Sequence, residues 1–428
     1  EKKIKILTIS DHPFSPSGVG TQTRYVIEAL LETGKFQVVS LAGAMKHDNY
    51  QPQKTEKWGE DLILFPIDGY GDPESIRSII RVQKPDILWF MTDPRFYEWL
   101  WAMENEIRPL IPMIYYHVWD NFPAPHYNEK FYSSNDFIAT ISKVTDEIVK
   151  IVSPDVERQY VPHAVDSNAF KKLPKNEIKE ARQKLFGEKI LDNDGNEKMI
   201  FLWNNRNARR KQSGFLIWCF KNFLNNIGED KSILLMHTDP KDVHGQDLEA
   251  IVRELGLNKG QVMFSTNKVE SDILGKMYNA ADCTLNISDA EGFGLGTLES
   301  LSCGTPIIVN MTGGLQEQVT DGENWFGIGL EPCSKAVIGS QQVPYIYEDR
   351  LSQEQVVSAL EKMYEIWKDK KPEYDNMSEL GIQHVQENYN FKNFTSKWVE
   401  IMSELHKKHG SWDTRKGYKA WELREVCK

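Results

Sequence analysis

Short, unbroken apolar runs, each followed by a stretch with helical periodicity, recur along this chain of 428 residues. In the first part they are Lys5–Ile9, Gln37–Leu41, Leu62–Phe65, Asp86–Phe90, Pro112–Tyr116 and Phe137–Ile141. A strand that is apolar on both faces needs cover on both, which helices flanking a parallel sheet supply. Thr21–Glu32 fits such a helix, with Tyr25, Val26, Ala29 and Leu30 on one face. The alternation lapses in a polar stretch from Asp166 through Glu197, which holds one helical segment, Glu177–Phe186, and the turn Asp192–Glu197. An interdomain boundary belongs there. The Asp-x-Asp of the turn lacks the rest of a calcium loop and reads as a surface hairpin. The pattern then restarts at Met199–Trp203, Ser232–Met236, Val262–Phe264, Thr284–Ile287 and Pro306–Val309. Helices are expected near Gly214–Phe223, Asp247–Leu255, Ser271–Ala280 and Glu354–Trp367. Two similar α/β halves with a cleft between them is the economical fold.

Within the second half, seven residues separate Glu291 from Glu299 in Asp289-Ala-Glu-Gly-Phe-Gly-Leu-Gly-Thr-Leu-Glu299. The strand before this stretch places Glu291 on a glycine-rich loop, and the next helix carries Glu299 about one turn in. Ligands of open α/β sheets bind in the crevice at such strand ends. Gly292, Gly294 and Gly296 let backbone N–H groups come close to a ligand, and the helix N-terminus favours an anion such as a diphosphate. Each carboxylate accepts hydrogen bonds through two oxygens, matching neighbouring hydroxyls of a ribose or sugar.

Three further constellations sit at expected strand ends. Ser15-Pro-Ser-Gly-Val-Gly20 follows the first strand, and Gly18 and Gly20 could bring N–H groups to a phosphate. It is a poor dinucleotide fingerprint: the third glycine is Thr23, and the second strand ends without an acidic residue. In Asn205-Arg-Asn-Ala-Arg-Arg-Lys211, Arg206 and Lys211 are spaced to converge on one anion, the fork of one and the point charge of the other suiting a diphosphate. His117 ends the strand Ile114–His117, where a reacting sugar could sit, although a lone histidine is more often structural. Asp93, Asp120 and His126 are weaker candidates for acceptor contact. No Ser-His-Asp or Cys-His order and no clustered metal ligands stand out, so neither a metal nor another cofactor is expected.

Net charge is −11, which argues against broad capture of nucleic acid. The segment from His406 differs, with seven Lys/Arg against three Asp/Glu and with Trp412, Tyr418 and Trp421 interleaved. It suits an acidic membrane surface or a polyanionic acceptor or, more commonly, a terminal helix packing its aromatics on another domain. Without an apolar stretch of about 18 residues, no membrane span is expected. The N-terminus reads as a strand rather than a signal peptide. Cys219, Cys283, Cys303, Cys333 and Cys427 are scattered and form no CxxC pair, which fits a reducing cytoplasm.

With these residues in place the chain resembles the retaining glycosyltransferases of family 4, the glycosyl transferases group 1. The resemblance rests on Tyr278-Asn-Ala-Ala-Asp-Cys283, Glu291-Gly-Phe-Gly-Leu295, Glu299, Cys303-Gly-Thr-Pro306, Gly313-Gly314 and Asp321-Gly322, with Val161–Asp166, Arg206, Lys211 and Ser17–Gly20 in order before them. It implies a GT-B fold: two Rossmann-like domains with parallel sheets facing each other across a cleft. Residues 1–175 would be the acceptor side and 176–404 the nucleotide-sugar side, with a helix at about 405–428 returning to the first. It implies that Glu291 contacts sugar hydroxyls beside the amides of Gly292, Phe293, Gly294 and Leu295, and that Glu299 binds the ribose. Arg206 and Lys211 would hold the diphosphate, assisted by Gly18 and Gly20, and His117 would lie near the anomeric carbon. The reaction implied moves a sugar, typically a hexosyl group, from a nucleoside-diphosphate sugar to a hydroxyl acceptor with retention and without metal. The acceptor stays open (glycan, lipid-linked glycan, metabolite or macromolecule), as does association with the inner membrane face. His163-Ala164 and Val118 depart from the family pattern. The competing readings are a catalytically silent sugar-nucleotide-binding module, a GT-B-fold epimerase acting on the donor alone, and a phosphorylase, for which no pyridoxal lysine motif is found.

Overall fold

A computed structural model describes residues 1–421. Cys427 and the last seven residues of the expected terminal helix lie outside the described residues. The chain divides into two compact units. One comprises Glu1–Trp119, Pro123–Ala164 and the chain from Lys392 onward, and the other Asp120–Phe122 and Val165–Phe391.

The first unit is built on eight strands: β1 (Ile4–Asp11), β2 (Phe36–Gly43), β3 (Gln53–Lys54), β4 (Leu62–Pro66), β5 (Ile87–Thr92), β6 (Met113–His117), β7 (Phe137–Thr140) and β8 (Arg158–Tyr160). Their order is β3-β4-β2-β1-β5-β6-β7-β8. All neighbours are parallel except β3 and β4. The continuous apolar runs are the reason: β5 is buried along its whole length, so helices must cover both faces. Chain order reverses direction between β1 and β5, and the C-terminal ends of those two strands flank the crevice that this reversal opens.

The second unit repeats the plan with β9 (Met199–Asn204), β10 (Ser232–His237), β11 (Val262–Ser265), β12 (Cys283–Asn286), β13 (Ile307–Asn310) and β14 (Gly327–Leu330). The order is β11-β10-β9-β12-β13-β14, all parallel, with its reversal between β9 and β12. A core of Phe201, Trp203, Phe220, Phe223 and Leu285 lies between this sheet and its helices. An antiparallel hairpin of β15 (Ser334–Ile338) and β16 (Ile346–Arg350) follows.

The boundaries expected at residues 175 and 405 fall at 164 and 391 instead. Residues 165–174 are tied into the second unit: Val165 bridges to Asn390, the Leu173 N–H donates to Asn279, and the Ser302 hydroxyl donates to the Phe170 carbonyl. The helix expected at 405–428 is also displaced. It runs Phe391–His409, and a single tight turn at Trp412–Thr414 follows. Its Trp398 is fully buried, edge-on to Trp89 at 5.9 Å and to Tyr116 at 4.9 Å between ring centroids. Trp412 donates its indole N–H to the Pro85 carbonyl at 2.9 Å, and Arg415 pairs with Asp136 at 3.0 Å. Trp412 and Arg415 of the basic aromatic segment are thus tied to the first unit, while Trp421 is 77% exposed. Among the described residues no helix is long and apolar enough to cross a membrane.

Candidate functional site

The glycine-rich loop leaves β12 at the sheet's switch point and enters the helix Leu295–Ser302. Gly294 caps that helix at φ 89°, a conformation that costs other residues strain, and a Cβ there would lie 2.6 Å from Leu315. A glycine cap has no side chain to satisfy the first helical N–H groups, the kind of helix start that accommodates an anion. Gly313, at φ 50°, lies so close under the loop that a Cβ would sit 1.8 Å from the Glu291 carbonyl oxygen. The Gly314 N–H donates to that oxygen at 3.2 Å, and Gln318 donates to the Phe293 carbonyl at 2.7 Å. The loop is thus fixed from beneath before any ligand arrives.

Glu291 is buried, and its carboxylate accepts hydrogen bonds from the Lys211 ammonium and, at 3.2 Å, from Asn286. Arg210 stands 3.9 Å away and donates to the Ala290 carbonyl as well. Burial alone would raise this carboxyl's pKa; Lys211 and Arg210 more than offset it and hold it ionised, well below the usual range. Lys211 is only 11% exposed, and burial pulls its own pKa down against the pull of Glu291. Both cations come from the loop after β9. Gln212 closes that loop at φ 60°, unusual for a residue with a side chain, and donates to Asp289 at 2.8 Å.

Glu299 belongs to a second hydrogen-bonded chain: Asn204 donates to the Tyr278 hydroxyl at 2.8 Å, which donates to Glu299 at 3.0 Å. Burial pushes the Glu299 carboxyl up to about 7, with the Tyr278 bond opposing. A cavity of about 90 Å³ opens between the two glutamate systems, lined by Asn204, Lys211, Asn286, Glu291, Gly296 and Thr297 among others. That is below the roughly 300 Å³ of a pocket enclosing a whole small molecule. It admits one group of a larger ligand.

Two expected placements are corrected. Arg206 does not converge with Lys211: it is 62% exposed and bonded to Asp242 at 2.9 Å, and Arg210 is the residue that shares Glu291 with Lys211. Nothing in the spacing singles out Arg210 among four cations in six residues. His117 is a core residue, fully buried at the end of β6, its ring nitrogens 3.2 Å from the Tyr115 hydroxyl and 2.6 Å from that of Tyr132. Burial holds it neutral, with its pKa lowered to about 3. It offers no ring nitrogen to a reacting carbon. Gly18 and Gly20 lie in the first unit, where Ser17 caps the helix Gly18–Glu32 by accepting the Gly20 N–H at 2.9 Å. A Cβ on Gly20 would come within 2.6 Å of the His12 carbonyl oxygen. Of the acceptor candidates, Asp93 pairs with Arg95 and Asp120 stands 3.6 Å from Arg210.

Two parallel-sheet α/β units, the second carrying a carboxylate-and-cation site at its switch point, define a GT-B fold. Solved structures with that fold match nearly the full chain. They include sucrose-phosphate synthase from Thermosynechococcus elongatus (TM-score 0.73, 16% identity, 95% of this chain and 100% of that one) and Anabaena HepE in complex with UDP-glucose (0.66, 14%, 94% and 100%). Residues 239–365 match the family model of glycosyl transferases group 1, the family that the residues around Glu291 and Glu299 resemble. Similar curated proteins include N-acetyl-alpha-D-glucosaminyl L-malate synthase of Bacillus anthracis, 23% identical over 238 residues, which is 55% of this chain and 57% of that protein. A D-inositol 3-phosphate glycosyltransferase of Acidothermus cellulolyticus is 40% identical over 77 residues, 18% of this chain and 17% of the relative. The chain thus matches little more than half the length of the first relative and under a fifth of the second.

Proposed function

We propose that the protein is a glycosyltransferase that moves a hexosyl group from a nucleoside-diphosphate sugar to a hydroxyl acceptor with retention of configuration. The observation that carries this is the buried Glu291–Lys211 pair, with Arg210 at 3.9 Å, beside a helix N-terminus with no side-chain cap and the Glu299 carboxyl. In this reading Glu291 accepts from sugar hydroxyls, Glu299 accepts from the ribose, and the amides from Gly292 to Leu295 face the diphosphate. Lys211, with Arg210 beside it, neutralises charge on the leaving group.

The acceptor oxygen bonds to the anomeric carbon as the anomeric C–O bond breaks. The nucleoside diphosphate leaves with that electron pair and takes the acceptor's proton on the same face. Glu291 is poorly suited to act as a general acid, because it is already ionised and salt-bridged, and His117 is enclosed. That leaves the proton to the phosphate, with the cations supplying the positive charge a metal would otherwise bring.

A panel of UDP-, GDP- and ADP-sugars scored by thermal shift, followed by NMR of the product's anomeric proton, tests the reading. A shift from at least one donor and a product of unchanged anomeric configuration are expected. Inverted product, or a covalent glycosyl adduct on trapping, would overturn the mechanism. Absence of any nucleotide effect would overturn the function.

A further inference from the structure

Arg210 and Lys211, the two cations that meet Glu291, are bracketed by Arg209 and Gln212. Residues 209–211 form a single tight turn, and Gln212 leaves it in the left-handed region. Such a conformation persists only where the surroundings impose it. The anchors lie outside the cations themselves. The Arg209 guanidinium makes a two-pronged pair with Glu348, Nη1 to Oε1 at 3.1 Å and Nη2 to Oε2 at 2.9 Å. The Asp289 N–H donates to the Arg210 carbonyl at 2.8 Å, while the Asp289 carboxylate accepts from Gln212. The turn is therefore held on both sides of the residues that reach Glu291.

Glu348 belongs to the β15–β16 hairpin, which stands outside the six-stranded sheet. A two-stranded hairpin is marginal by itself, and this one buries little apolar surface. β15 has no buried residue, Val337 is 65% exposed, and the buried pair in β16 is Glu348 and Asp349. Buried carboxylates are tolerated only when paired, and here the pairing runs to the site's two loops. Arg350 stands 2.8 Å from Glu348 and 3.4 Å from Asp289. The Asp349 N–H donates to the Asp289 carbonyl at 2.8 Å, and Asn310, ending β13, donates to the carbonyls of Asp349 and Ser288. Burial alone would raise the Glu348 carboxyl; Arg209, with Arg350, outweighs it and keeps the group ionised. The hairpin thus ties the cation turn to the glycine-rich loop.

We infer that Glu348 is a positioning residue: through Arg209 it holds the turn after β9 in the shape that sets Arg210 and Lys211 beside the donor's diphosphate. It acts through Arg209 and touches no substrate. The inference rests on the glycosyltransferase reading and gives the hairpin a part in it. Cations set in place before the donor arrives need no rearrangement as charge develops on the leaving group.

The test compares the whole chain with Glu348→Ala, Glu348→Gln, Arg209→Ala and the double variant Glu348→Ala/Arg209→Ala. Affinity for UDP, GDP and ADP is measured by titration calorimetry, and amide hydrogen exchange is followed without nucleotide. In Glu348→Ala, exchange over residues 206–212 should quicken about tenfold while β9 and β12 keep wild-type rates, and affinity for the preferred nucleotide should fall about tenfold. Glu348→Gln, whose amide oxygen still accepts from Arg209, should recover most of both. Arg209→Ala should match Glu348→Ala, and the double variant should be no worse than either. Unmoved exchange over 206–212, faster exchange throughout the second unit, or additive losses in the double variant overturn the inference. So does nucleotide binding that is unchanged or tighter in Glu348→Ala, the tighter case meaning that the carboxylate masks Arg209. Wild-type nucleotide binding alongside any of those results leaves the donor reading standing. Absence of nucleotide binding by the wild type removes that reading and the inference with it, whatever the exchange rates show.

Discussion

Lys211 and Glu291 stabilise each other only as a pair. Removing one partner of a buried ion pair strands the other, at a cost of roughly 3–5 kcal/mol. Asn286 and Arg210 remain near Glu291, so Lys211→Ala should fall toward the lower end, about 3 kcal/mol, read as the shift in urea midpoint. Adding Glu291→Gln should restore most of that stability, because no buried charge is left alone, yet it should leave transfer activity lost. If the double variant is as unstable as Lys211→Ala, the pair is not coupled as drawn. Glu299 titrates in the opposite sense. Burial raises it from 4.5 to about 7, so the folded state binds the proton more tightly than the unfolded chain. Its contribution to stability is therefore greatest below 4.5 and declines as pH rises toward 7. A ribose needs an acceptor, so donor affinity should strengthen over the same rise in pH. Titration calorimetry with the preferred nucleotide at pH 6 and pH 8 should show that strengthening in wild type and none in Glu299→Gln.

Single elements show where local pattern suffices and where it fails. The loop from β12 into the helix Leu295–Ser302 was legible because each device is local: an apolar strand, glycines, then helical spacing. Gly294→Ala combines positive φ with a 2.6 Å approach to Leu315. It should cost about 1–3 kcal/mol and raise the donor KM; an unchanged KM would detach the loop's shape from donor binding. Other elements carried no such mark. β8 is Arg158-Gln-Tyr160, a polar edge strand defined only by its pairing with β7. β15 and β16 lack an apolar run, yet β16 delivers Glu348 to Arg209 and the Asp349 N–H to the Asp289 carbonyl. His117 looked like a site residue because it ends a strand. Tyr132, whose hydroxyl encloses it, comes from a helix that the sequence reading had not placed.

At the scale of the whole molecule, the plan of two parallel-sheet units was readable from apolar runs, because burial on both faces leaves a continuous signature. The chain's return at residue 392 was placed too late, because Trp398 looks like any aromatic on an amphipathic helix until its partners Trp89 and Tyr116 are known. Trp398→Ala should cost about 3–5 kcal/mol, detected as an earlier melting step. Nucleotide-dependent stabilisation should survive, since the residues proposed to face the nucleotide belong to the other unit. Loss of the nucleotide effect in that variant would contradict the division.

That return also sets an order of manufacture. On a ribosome, residues 165–391 emerge complete before Trp398 is added, so the half translated second can close its core first. The half translated first must wait, its Trp89 uncovered, for a helix that comes more than two hundred residues later. For this chain, the beginning is the last part to be finished.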